Sequence, residues 1–167
     1  MGARYRSCAT MRHDAFPSTG CSFILMFADS LLHAEQMHLF GLLIWGGGSV
    51  LVGTLVFVVV ASRRLETTML RHFAVQMVIW GLLEIAYVAI AWQGLGLRDV
   101  SGATRLDRLL WMNLGLDVGA ITAGAAVATI GWLNGRRLGL LGAGVGVIVQ
   151  GAALFLINAQ LAALISR

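Results

Sequence analysis

The sequence predicts an all-α integral membrane protein, an up-down-up-down four-helix bundle with a short amphipathic or extended N-terminal helix. Three observations carry that prediction. Hydrophobic residues make up 58% of the chain and charged residues only 12%, whereas a soluble domain carries about 25% charged residues. Four apolar stretches, 39–61, 73–92, 109–132 and 138–165, each reach the roughly 20 residues needed to cross a hydrocarbon core of ~30 Å. The connections between them are brief, so successive helices are expected to run antiparallel as neighbours.

Residues 1–28 mix Arg, Ser, Pro17 and Gly20 without periodicity and read as a disordered tail, leaving 29–167 as the membrane domain. The apolar run from Phe23 to Phe27 is too brief for a signal-peptide core, and no small-residue cleavage site follows it. Met26 would serve as an alternative start close to the first span. Cys8 and Cys21 are too far apart for a CxxC redox or zinc motif.

Asp29 or Ser30 is placed as the cap of a helix on which Phe27, Leu31 and Ala34 recur at helical spacing. That piece is expected to lie at the interface or to extend the first span into water. The first span stops at Ser62-Arg63-Arg64, and the turn Asn134-Gly135-Arg136-Arg137 separates the third from the fourth. The fourth is longer than a bilayer needs and should tilt or project at its C-terminal end.

Glycine indicates how the helices touch. Gly115 with Gly119, and Gly142 with Gly146, each put small residues on one face and allow backbones to approach closely. Packing of the third span against the fourth is the expected use; an interface with a second copy or another membrane protein is the alternative.

All twelve basic residues are arginines, scattered over the tails and connections. They form no block interleaved with aromatics, which excludes a nucleic-acid site and leaves the bilayer as the partner, with arginines anchored at headgroups. Arg63, Arg64, Arg71, Arg136 and Arg137 flank the first and third connections, against Arg98, Arg105, Arg108 and Arg167 on the other side. This balance places the first and third connections in the cytoplasm and both termini outside.

The last three spans carry polar residues near mid-depth, where ionisable groups are costly. Glu84 falls at the centre of the second span, and Asp117 lies roughly four residues, or ~6 Å, before the centre of the third. Gln76, Trp80 and Glu84 stack at successive turns, Asn113 shares the Asp117 face, and Gln150 and Asn158 lie two turns apart on the fourth span. One polar cluster, displaced towards the terminal side, would bring these residues together. Either it fixes helix register through hydrogen bonds among them, or Glu84 and Asp117 relay protons or hold a cation or polar ligand in a wet cavity.

Cofactor motifs do not emerge. His38 begins the first span and His72 the second, on opposite membrane faces, so they cannot supply the two axial ligands of a haem. No Glu-x-x-His motif lies within a span to suggest a metal, and no nucleophile–base pair or phosphate-binding loop reads through.

The run from Trp111 to Gly119, followed by Gly142 to Gly151 and Leu154-Phe155-Leu156, resembles the signature of an uncharacterised family of small bacterial four-helix membrane proteins. Gln76, Met77 and Trp80 fit its second helix, with Glu84 standing where that resemblance implies an Asn; His38, the Trp45 region and Gly53 match its first. It implies a shared four-helix domain in a bacterial cytoplasmic membrane and no particular activity. The expectation is therefore a non-enzymatic membrane or interaction component organised by a polar cluster. A proton-coupled or cation transport module using Glu84 and Asp117 is the alternative, and a lipid- or quinone-binding protein a further one.

Overall fold

A computed structural model describes residues 18–63 and 67–165, with side chains from Met26 onward. It contains four helices, α1 Ser18–Ser62, α2 Thr68–Gln93, α3 Val100–Leu133 and α4 Leu138–Ile165. All four are long and apolar enough to cross a membrane, the make-up of a multi-pass membrane protein. Large apolar side chains such as Ile44, Leu51, Leu55, Ile90 and Leu156 stay exposed around the bundle, as expected of a surface solvated by lipid tails.

The first helix takes the extended form of the two expected, and the cap placed at Asp29 or Ser30 is corrected. It is 45 residues long and runs without a break through the positions read as a cap. Ser30 lies inside it, its Oγ donating to the Phe27 carbonyl at 2.9 Å. No glycine or proline falls between 21 and 40 to stop the helix. Ala28, Leu31 and Glu35 are buried, so this extension is packed against the protein rather than lying free at the interface. The helix also covers residues 18–28 of the stretch read as a tail; residues 1–17 and the side chain of Cys21 lie outside the described residues.

The third helix likewise starts early, at Val100. Asp99 caps it by accepting from the Gly102 amide and from Ser101 Oγ, each at 2.8 Å. The turn into α4 passes through Gly135 at φ 76° and Arg136 at φ 54°, and the Arg136 guanidinium sits 5.0 Å from the Trp132 ring centroid.

Consecutive helices are not all neighbours. α1 packs on α2 and α3 on α4, but α2 and α3 barely meet; α4 packs on α2 instead, and more lightly on α1. Glycine explains the order. A Cβ on Gly81 would fall 2.5 Å from the Gly46 carbonyl, and one on Gly144 would fall 2.5 Å from that of Gly124, so α1–α2 and α3–α4 touch backbone to backbone.

The fourth helix presents glycines on two sides, Gly144 and Gly151 towards α3, Gly142 and Gly146 towards Met69 and Gln76 of α2. The face expected between α3 and α4 is therefore corrected on both helices. Gly115 and Gly119 have no atom within 4 Å of a would-be Cβ and look outward, while Gly142 and Gly146 serve α2. Spacing alone gave the right residue type and the wrong partner.

The two halves of the bundle are built differently. Glycine contacts dominate the half next to the first and third connections. Towards the termini, leucine takes over: Leu39 and Leu42 pack with Val88, and Leu110 and Leu114 pack with Leu161 and Ala162.

Candidate functional site

Among the polar residues of the spans, two sets are closed by hydrogen bonds, while the Glu84 carboxyl is buried without a partner. Gln150 has no exposed surface. Its Oε1 accepts from Trp45 Nε1 at 2.6 Å, and its Nε2 donates to Ser49 Oγ at 3.1 Å, with Met77 Sδ at 3.4 Å. One amide thus ties α1 and α2 to α4 with its main hydrogen-bonding capacity used. Asn158 Nδ2 donates to Asp117 Oδ2 at 2.7 Å, joining α4 to α3.

Glu84 is different. It is 6% exposed, and neither carboxyl oxygen has a hydrogen-bond partner among the described residues. A Cβ on Gly46 would stand 3.2 Å from Oε2, so the bare glycine leaves the carboxyl its room against α1. A buried carboxyl without a partner forfeits the solvation it had in water; among the described residues only His38 Nδ1 is likewise buried and unpartnered.

Glu84 also lines a groove of about 400 Å³ that opens where α2 and α3 fail to meet. Trp80, Glu84 and Tyr87 line it from α2, and Asn113, Leu116 and Asp117 from α3. Leu154 and Asn158 of α4 complete it. Leu83, Tyr87 and Leu116 at its edges are 57%, 51% and 63% exposed, so the mouth faces sideways into the lipid.

Five of the seven residues singled out from the sequence therefore share this groove: Trp80, Glu84, Asn113, Asp117 and Asn158. Gln150 belongs to the closed contact with Trp45 and Ser49. Gln76 is half-buried elsewhere, beside Gly146 of α4. Among the described residues, no three His, Cys, Asp or Glu side chains converge as metal ligands would.

One partly buried contact was not anticipated. Arg98, in the connection between α2 and α3, donates from Nε to Glu35 Oε2 at 2.9 Å and from Nη2 to Oε1 at 2.5 Å. The fork-to-carboxylate geometry holds the guanidinium above its usual range and fastens that connection to α1. Glu35 reads in sequence as one polar residue of an amphipathic turn and Arg98 as a headgroup anchor; no spacing links residues so far apart.

With two carboxyls and two side-chain amides but no basic lining residue, the groove can bind hydrogen-bond donors or positive charge. No curated protein and no solved structure is similar to the chain. A sequence family does match, over a stretch that takes in every polar residue of the groove together with the Gln150 contact. The chain belongs to a family of unknown function (DUF6992), which it matches over residues 41–159.

Proposed function

We propose that this is a non-enzymatic membrane component that binds a lipid-phase molecule in the groove between α2 and α3. The observation that carries the reading is Glu84, whose carboxyl is buried without a partner and which lines a cavity opening on the apolar outer surface of the bundle. Closed polar contacts at Gln150 and at Asp117–Asn158 hold the helices, and the groove is left for a ligand. The lipid- or quinone-binding alternative thereby moves ahead of a purely structural role for the cluster.

Proton-coupled transport by Glu84 and Asp117 ranks second. It needs a polar path to the opposite face, and that half is where Gln150 is fully buried and the glycine backbones touch. The setting we propose is a bacterial cytoplasmic membrane, with both termini outside and the first and third connections inside. A second copy of the chain, or another membrane protein, would then meet the outward Gly115–Gly119 face.

Native mass spectrometry of the full chain released from nanodiscs tests the binding reading. A bound small molecule that disappears when Leu83→Trp and Leu116→Trp fill the groove mouth is expected. Absence of any adduct, or retention of it in the filled variant, would contradict the proposal.

A further inference from the structure

We infer that the ligand of this groove is a lipophilic organic cation, a quaternary onium or protonated amine surrounded by apolar groups. The inference rests on the groove-binding reading and adds the ligand's charge. The first support is electrostatic. Glu84 and Asp117 both line the groove, and no Arg, Lys or His does. In a low-dielectric site, a charge without a counter-charge is strongly disfavoured, so the acids of the groove by themselves rest neutral. An anionic headgroup would find no counter-charge there, while a cation would be paired by a carboxylate as its proton is released to solvent.

The second support is the state of the Glu84 carboxyl. Asp117 already accepts from Asn158, but both Glu84 oxygens lack a partner. Both oxygens are shielded and Oε2 lies towards Gly46, so a cation in the groove gains this partner when the Glu84 side chain turns towards it, with no closed contact disturbed. Among the described residues no basic side chain lines the groove, and the partly buried guanidinium of Arg98 is engaged by Glu35.

The third support is the wall. Trp80 lies one turn before Glu84 and Tyr87 one turn after it on the same helix, and both line the groove. Aromatic side chains one turn to either side of Glu84 suit a weakly hydrated cation, which would gain from a ring quadrupole as well as from the counter-charge. Leu83, Leu116 and Leu154 supply the apolar contact that keeps such an ion in the lipid-facing mouth. A neutral hydrogen-bond donor would use the carboxyls too but would not need their charge, which separates the two ligand classes.

The test uses the full chain in nanodiscs, with equilibrium dialysis against tetraphenylphosphonium and, in parallel, tetraphenylborate. These probes share shape and apolarity and differ in sign. Saturable binding of the phosphonium at one site per chain is expected, with no saturable borate component above empty nanodiscs. Glu84→Gln, which keeps the shape and removes the charge, should weaken phosphonium binding at least tenfold, and Asp117→Asn should weaken it in the same direction.

Binding of both probes with equal affinity, or a Glu84→Gln protein that binds the phosphonium within twofold of the parent, would overturn the cation assignment. If the co-purifying adduct still vanished on filling the groove with Leu83→Trp and Leu116→Trp, groove binding would survive and only the ligand class would fall. If neither probe bound saturably and no adduct were found, both would fall together. Circular dichroism and monodispersity of each variant keep loss of binding distinct from loss of fold, and Asp117→Asn decides if Glu84→Gln does not assemble.

Discussion

Trp45 Nε1 donates to Gln150 Oε1 at 2.6 Å, across a gap of more than a hundred residues, in the middle of the bundle. The pair joins the first helix to the last, where apolar packing alone would tolerate several registers. Hydrogen bonds between membrane helices average only about 0.6 kcal/mol and reach ~1.7, so this contact specifies register more than it adds stability.

Replacing Gln150 by Leu should therefore cost about 0.6–1.7 kcal/mol, since Trp45 and Ser49 lose their partner while the volume is kept. Gln150→Ala should cost more, roughly 2–4 kcal/mol, because it also opens a cavity at a site with no exposed surface. Reversible unfolding in mixed detergent micelles measures both. Equal costs for the two variants would show that the site repacks freely.

Glycine positions should divide into two classes. Gly81→Leu and Gly144→Leu drive side-chain atoms into a facing carbonyl and should destabilise the monomer by about 1–3 kcal/mol or more. Gly115→Leu and Gly119→Leu face open space and should leave monomer unfolding within about 0.5 kcal/mol of the parent. Cross-linking in the membrane reads the remaining question. A dimer lost only with the second pair would mark that outward face as the contact between copies.

The Glu35–Arg98 pair should be asymmetric. Arg98→Ala strands a carboxylate whose side chain is only 10% exposed, whereas Glu35→Ala leaves a guanidinium already 29% exposed and able to reach water. The first variant should lose about 1–2 kcal/mol and the second less, in the same unfolding assay. Equal losses would mean that both charges are equally well solvated when unpaired.

Orientation is open to cysteine labelling, because Thr67 and Ser101 are both exposed, on opposite ends of the bundle. With Cys8 and Cys21 changed to Ser, an impermeant maleimide on intact cells should label Ser101→Cys and spare Thr67→Cys. The reverse pattern would invert the topology inferred from Arg63, Arg64, Arg136 and Arg137.

Sequence alone carried the four spans because long apolar runs between short arginine-bearing turns have no other stable solution in a bilayer. It also placed Trp80, Glu84, Asn113, Asp117 and Asn158 at similar depth, since helical rise converts residue number into height. What it could not supply was azimuth. Membrane helices here are apolar all round, so no amphipathic stripe says which way Gly115 points or that α2 would choose α4 over α3. For the same reason the expected hydrogen bonds of Glu84 are missing. Height brought it level with the amides, but rotation left its carboxyl against Gly46 and the groove. The Glu35–Arg98 pair was hidden differently, because the helix bearing Glu35 extends beyond the apolar run that defines the span.

The central claim is that Glu84 is kept unpartnered for a ligand and does not hold the bundle together. Unfolding of Glu84→Gln and Glu84→Leu, measured beside the parent in one detergent, tests it most directly. Because no hydrogen bond is lost, Glu84→Gln should unfold within about 0.5 kcal/mol of the parent, and Glu84→Leu, which also removes the unpartnered polar group, within that range or with greater stability. A loss for both variants as large as that expected for Gln150→Leu would contradict the claim and make Glu84 a structural residue of the bundle.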